Sequence, residues 1–282
     1  MKFRELLKEG KKRLDEAGCP EPSADARALL FHVFHFSLAD YAGKSEDEAP
    51  EAGAEAYFAL IAERMTRRPL GYILGEAPFY GRDFYVTEGV LIPRFDTEIL
   101  VWEALARMRS GDKVIDLCTG SGCIPVTLAL EGPEDCVIDA LDVSEAALDT
   151  ARKNAARHGA AVNFILSDLF ENISGRYAII TANPPYIPAD VIETLMPEVR
   201  DYEPRLALCG EADGLHFYRR IAEEAKAHLL HGGFLAMEIG FDQGGAVRAI
   251  LEKAGYLDVS VVKDLQGLDR TVTGVFDGAD NE

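Results

Sequence analysis

The sequence predicts an α/β chain: a doubly wound, mainly parallel sheet, preceded by a small helical bundle and an extended connector. Three observations predict it. After residue 111, short runs rich in Val, Ile and Leu alternate with helical stretches; the first 65 residues carry helical spacing alone; and the segment between them is aromatic and β-branched.

From Phe3 to Met65 the apolar residues fall at helical intervals: Leu6, Leu7 and Leu14, then Ala26, Leu29, Leu30 and Val33, then Tyr57, Leu60 and Ile61. Breaks are expected at Gly18 to Pro22 and from Lys44 to Gly53, with Ser23 as N-cap of the helix beginning at Ala24. Between Pro69 and Pro93, Phe79, Tyr80, Phe84, Tyr85, Val86 and Val90 to Ile92 are interrupted by Gly81-Arg82-Asp83 and Glu88-Gly89. That pattern predicts extended structure with a hairpin rather than helix.

Strands are then expected at Val114 to Leu117, Val137 to Leu141, Val162 to Leu166, Ala178 to Ala182, Phe234 to Ile239, Val259 to Val262 and Thr271 to Phe276. Helices are expected from a Gly-rich turn to Leu130, from Ser144 to about Arg157, from Leu215 to Leu230 and from Gln243 to Ala254. Short strands this apolar are buried on both faces, as in parallel sheets. The divisions that follow are 1–75 for the helical bundle, 76–95 for the hairpin connector and 96–282 for the sheet domain, with the tail Asp277 to Glu282 expected to be disordered.

Composition narrows the function. Of 282 residues, 29 are Lys or Arg and 48 are Asp or Glu, a net charge of −19. Residues 1–85 hold 12 basic and 15 acidic side chains, so the remainder carries −16. Such a field repels polyphosphate, which argues against duplex DNA or bulk RNA as substrate. Arg64, Arg67 and Arg68 form a small basic cluster, read as a solvated helix end. No apolar run approaches the roughly 20 residues of a membrane span, and the charged start at Met1 to Glu5 lacks a signal-peptide core. Five cysteines without a Cys-x-x-Cys pair fit a reducing cytoplasm and exclude a zinc ribbon. His32 and His35 read as packed helix residues rather than metal ligands; no metal is expected.

The sequence Asp116-Leu117-Cys118-Thr119-Gly120-Ser121-Gly122 stands where the first sheet strand turns into a helix. Gly120 and Gly122 let a ligand approach the backbone, and amides at a helix start favour an electron-rich group. Asp142 ends the next strand, where a carboxylate accepts both ribose hydroxyl protons of an adenosine cofactor. Ser167-Asp168 ends the third, placing another carboxylate on the same rim, within reach of an adenine amino group. Pro125 occupies the third glycine position of the dinucleotide fingerprint, which favours S-adenosylmethionine over NAD. The absence of a Gly-Lys-Ser/Thr loop disfavours ATP chemistry.

Asn183-Pro184-Pro185-Tyr186 follows the fourth strand on the same edge. The prolines fix the backbone and remove two amide donors, leaving carbonyls outward. The Asn183 side-chain oxygen and the Pro184 carbonyl can accept both hydrogens of an amino or amide group, and Tyr186 can stack on its plane. Methylation of a planar nitrogen demands such a grip, because its lone pair is delocalised and must be turned toward the methyl. No catalytic His or Cys is evident.

This tetrapeptide with this cofactor pattern resembles methyltransferases that modify planar NH2 groups of adenine or glutamine. Leu91-Ile92-Pro93-Arg94-Phe95-Asp96-Thr97-Glu98 resembles the connector motif of the HemK/PrmC family, the peptide chain release factor N(5)-glutamine methyltransferases, whose usual form has Pro where Phe95 stands. Tyr202-Glu203-Pro204 with Ala207-Leu208, Asp213-Gly214-Leu215 with Tyr218-Arg219, and Asp269-Arg270 with Thr273-Gly274 resemble it also, so the likeness spans the chain.

The resemblance implies a Rossmann-like methyltransferase domain with a seven-stranded sheet. It implies methyl transfer from S-adenosylmethionine, leaving S-adenosylhomocysteine, to the glutamine amide of the Gly-Gly-Gln motif of class I release factors. Carried over by position, the donor site comprises Asp116, Cys118, Thr119, Gly120, Ser121, Gly122, Asp142, Asp168, Leu169 and Asn183. Within it, Thr119 to Gly122 meet the methionine part, Asp142 the ribose and Asp168 the adenine edge. Asn183, Pro184, Pro185 and Tyr186 hold the glutamine, with Asn183, Pro184 and Tyr186 as the catalytic set. Cys118 replaces the family's usual Gly, and Leu169 stands where some members have an aromatic. Docking of the protein substrate is the expected task of the helical bundle. Rival readings are an adenine-amino methyltransferase, which needs a basic groove; a ribosomal-protein glutamine methyltransferase, against which Asp96-Thr97-Glu98 argues; and an acidic, non-enzymatic adaptor, against which the intact tetrapeptide argues.

Overall fold

A computed structural model describes residues 1–278; the rest of the expected disordered tail, 279–282, lies outside the described residues. The chain forms two compact units, one made of Met1–Glu76 with Met196–Tyr202, the other of Ala77–Leu195 with Glu203 onward.

In the first unit, helices Phe3–Glu16, Pro22–Phe34 and Glu51–Met65 enclose a core of Leu6, Leu14, Ala26, Leu29, Leu30, Tyr57 and Ile61. A side chain at Gly10 would collide with the Tyr57 ring, so glycine there sets how closely the first helix packs. The helix start differs from expectation: Pro22 takes the first helical position and Glu21 the cap, since a proline's fixed φ suits that place and its missing N–H costs nothing there. His32 and His35 are exposed rather than packed, and His35 ends its helix at φ +52°.

The basic cluster is not a solvated helix end. Arg64 is only 3 % exposed. Its Nε donates to Asp25 at 2.8 Å and its Nη2 to Glu198 at 2.9 Å, while Arg67 Nη2 reaches the other Glu198 oxygen at 2.6 Å. Glu198 arrives on the Met196–Tyr202 segment, far along the chain, so this charge network closes through partners that local sequence does not reveal.

In the second unit, β1 (Glu76–Phe79) and β2 (Arg82–Tyr85) form the hairpin. It is preceded by a short helix, Leu70–Leu74, within the stretch expected to be extended. The seven-stranded sheet comprises β3 (Lys113–Leu117), β4 (Val137–Asp142), β5 (Asn163–Leu166), β6 (Tyr177–Ala182), β7 (Leu229–Glu238), β8 (Leu257–Lys263) and β9 (Asp269–Phe276). The order across it is β5-β4-β3-β6-β7-β9-β8, parallel from β5 to β7, with β9 antiparallel to both neighbours. Helices cover both faces over two cores, one around Ile115, Tyr177 and Tyr218, the other around Phe79, Phe84 and Val114.

The helix expected to run to Leu230 stops at Glu224, tightens to a 3-10 turn at Ala225–Ala227, and gives way to β7. Leu229 is apolar because it pairs with Tyr177 in the sheet, not because it lies on a helix face. Ser144 does cap the helix Glu145–His158, its hydroxyl accepting the Ala147 amide at 3.3 Å. Among the described residues, no helix is long and apolar enough to cross a membrane.

Removing one partner of a buried ion pair strands the other, at a typical cost of ~3–5 kcal/mol. Arg64→Ala is therefore expected to destabilise the first unit by about that amount, read as loss of its helical circular dichroism at lower temperature. An unchanged melting curve contradicts the assigned network.

Candidate active site

Ligands in open parallel sheets bind beyond the carboxyl ends of the strands, where the strand order reverses. Here the reversal lies between β3 and β6, which run in register to their last pair, Leu117 and Ala182. The Gly-rich turn and Asn183 therefore leave the sheet side by side. Between them opens a cleft.

Of the expected donor residues, Cys118, Thr119, Gly120, Ser121, Asp142, Asp168, Leu169 and Asn183 line this cleft, with Pro185 of the tetrapeptide. Four expected residues do not line it, each for a structural reason. Asp116 is fully buried on β3 beneath the turn, accepting the Thr119 hydroxyl at 2.6 Å and the Thr181 hydroxyl at 2.7 Å. Gly122 is tucked against the next helix, where a Cβ would lie 2.8 Å from that of Ala151. Pro184 is buried. Tyr186 is half-buried, its ring packed on the core and its carbonyl held by Gln243 Nε2 at 2.9 Å.

The turn alternates through positive φ at Cys118 (56°), Gly120 (55°) and Gly122 (79°). A glycine would adopt the first without strain, whereas the side chain of Cys118 makes it costly. Leu169 likewise stands at φ 45°. Both departures from the family pattern thus fall at left-handed backbone positions beside the cleft. Asp142 braces the turn: its Oδ2 accepts the Gly120 amide and its Oδ1 the Ser144 amide, both at 2.9 Å. A carboxylate has about four acceptor positions, so two remain for a ligand.

Several contributors escaped the sequence reading. Arg220 Nη1 holds one oxygen of Asp168 at 3.0 Å. Arg94, which lines the cleft, donates through Nη2 to both oxygens of buried Glu203 at 2.6 and 2.7 Å. Gln243 ties the loops together: its Nε2 donates to the Tyr186 and Gly214 carbonyls, and its Oε1 accepts the Gly240 amide and the Tyr218 hydroxyl. Both ends of Arg94–Glu203 lie in motifs singled out above, but nothing in their spacing indicates that they meet. Val90, Pro93, Thr97, Ala207 and Phe217 are among the other wall residues.

Residues 5–75 match the model of the PrmC N-terminal domain, and residues 95–196 that of the methyltransferase small domain. A release factor glutamine methyltransferase from Cereibacter sphaeroides is 45% identical over 275 residues, covering 97% of this chain and 98% of its own. The chain belongs to the release factor glutamine methyltransferase family. A second member, from Agrobacterium fabrum, is 42% identical over 272 residues, covering 93% of each chain. Among solved structures, a methyltransferase from Pyrococcus furiosus shares the fold at TM-score 0.53 and 19% identity, covering 70% of this chain and 90% of its own. The family membership extends over both units, so the helical unit is part of the family's common architecture.

Burial pushes the Asp116 carboxyl up to about 7, outweighing its two hydroxyl donors, and burial pushes Glu238, at the end of β7, up to about 7 as well. Their ordinary values are 3.8 and 4.5. Between those limits the folded chain binds more protons than the unfolded one, so their contribution is intact at low pH and stability falls as pH rises toward 7. Asp116→Asn removes its share: calorimetric melting at about pH 5 and about pH 8 should show a smaller loss than in the parent chain. An equal loss contradicts a raised Asp116.

Proposed function

We propose that the chain methylates the side-chain amide nitrogen of the glutamine in the Gly-Gly-Gln motif of class I release factors, with S-adenosylmethionine as donor. The observation carrying this reading is that Asn183 and the Gly120–Asp142 turn line one cleft. A carboxamide grip and an adenosine site then face the same space.

The residues fit a sulfonium donor. Burial raises the Cys118 thiol well above its usual range, and Asp142, Asp116 and Asp168 raise it further, so the turn lies in a negative field that suits a positive sulfur. A Cβ on Gly120 would meet nothing within 4 Å, which leaves open space over the backbone. Asp142 would offer its remaining lone pairs to the ribose hydroxyls, and Asp168, which also lines the cleft, would hold the adenine edge. Leu141, Ile124 and Leu169 supply apolar walls. The donor, when bound, supplies a methyl group activated by attachment to cationic sulfur.

The chain's part is positioning and electrostatics. The Asn183 oxygen accepts one hydrogen of the glutamine amide, aiming the nitrogen lone pair across the cleft, while Pro184, buried and outside the cleft lining, stiffens the turn rather than supplying the second acceptor expected of it. Pro185 keeps the backbone from yielding. Tyr186, set behind the turn and anchored by Gln243, holds the tetrapeptide rather than forming a wall. As the N–C bond forms, the C–S electron pair stays with sulfur. The nitrogen, cationic only after attack, releases a proton to solvent, so no strong base is required. The helical unit docks the protein substrate, and the acidic sheet unit disfavours nucleic acid as an alternative.

The direct test is mass spectrometry of a release factor incubated with the chain and methyl donor, which should gain one methyl on the motif glutamine. Asn183→Ala should reduce turnover by about 10²-fold or more while calorimetry still detects donor binding; full retained turnover contradicts the role. Removing residues 1–70 should raise the KM for the release factor far more than that for the donor, whereas equal changes would contradict docking.

A further inference from the structure

The carboxyl of Glu238 has no place in the mechanism above, yet it lies beside the reacting end. β6 and β7 pair in parallel with Ala182 opposite Met237, so Asn183 and Glu238 are the next residues on neighbouring strands. Glu238 is 2 % exposed, and its Oε2 is buried with no hydrogen-bond partner among the described residues. The Thr97 hydroxyl and the Asn183 carboxamide are the side chains that favour its ionised form, against burial, and both residues line the cleft.

Packing alone gives no reason for a carboxyl here. A buried carboxylate is costly unless paired, and the cation whose charge acts on it, Arg270, makes its ion pairs with Asp96 and Asp264, each at 3.2 Å. The other titratable groups felt at this point are the phenols of Tyr186 and Tyr218 and the thiol of Cys123. None of these groups takes up the orphaned oxygen.

We propose that Glu238 is a positioning residue that fixes which end of the Asn183 carboxamide faces the cleft. An asparagine side chain has nearly the same shape either way round, but one end accepts and the other donates. An ionised carboxylate only accepts. It therefore draws the Asn183 NH2 toward itself and leaves the oxygen for the cleft. That is the end needed to receive an N–H, so the inference rests on the proposed function for what the oxygen receives, but not for the orientation itself.

The orientation is open to a measurement independent of turnover. In protein carrying 15N-asparagine, the Asn183 side-chain resonances, assigned by their loss in Asn183→Ala, should shift as pH is taken from about 5 to about 9 and Glu238 ionises. The shift should vanish in Glu238→Gln, whose amide can donate to the Asn183 oxygen and turn it round. In the same variant kcat should fall about ten-fold or more, with the donor Kd unchanged. An Asn183 signal that ignores pH in the parent chain, or full kcat in Glu238→Gln, overturns the proposal. A responsive Asn183 signal in a parent chain that fails to methylate a release factor supports the positioning role and rejects the function proposed above.

Discussion

The site depends on one constraint, the parallel register of β3 and β6. Because Leu117 and Ala182 are opposed as the last pair, the next residues, Cys118 and Asn183, emerge one strand spacing apart, about 4.8 Å in the hydrogen-bonding direction. One residue of slip would send alternate side chains to opposite faces and carry Asn183 away from the glycine turn. The register is in turn fixed by two apolar layers, since both faces of these strands are covered by helices and every residue from Val114 to Leu117 is buried.

Around that constraint the remaining parts act as braces. Asp142 holds the Gly-rich turn through its amides, and Gln243 holds the tetrapeptide through the Tyr186 carbonyl. Asp116 lies below, joining Thr119 of the turn to Thr181 of β6 through one buried carboxyl. The two halves of the cleft are therefore linked by hydrogen bonds as well as by the ladder. A rigid site of this kind suits chemistry governed by alignment, in which small displacements of the reacting atoms are expensive.

The parts of the fold that could be read from the sequence are those set by local pattern. The seven strands followed from their apolar runs, and the turn, Asp142, Asp168 and the tetrapeptide from their places at strand ends. What stayed hidden depends on distant partners. Arg64 looked like a surface charge until Glu198 supplied its counterion, and Glu203 had no visible relation to Arg94. Glu238 closes an apolar strand and resembles an ordinary strand-end acid; only the pairing of β6 with β7 sets it beside Asn183. The placement of Tyr186 behind the turn was hidden for the same reason, because Gln243 lies on a later loop. Leu229 shows the converse error, where apolar spacing alone did not separate the end of a helix from the start of a strand.

The most direct measurement is a crystal structure of the chain with the demethylated donor product and a release factor domain bearing the motif glutamine. The account predicts the glutamine amide nitrogen within hydrogen-bond distance, about 3 Å, of the Asn183 side-chain oxygen and facing the sulfur across the cleft. A glutamine bound elsewhere on the sheet edge, or an Asn183 that presents its NH2 to the substrate, contradicts it.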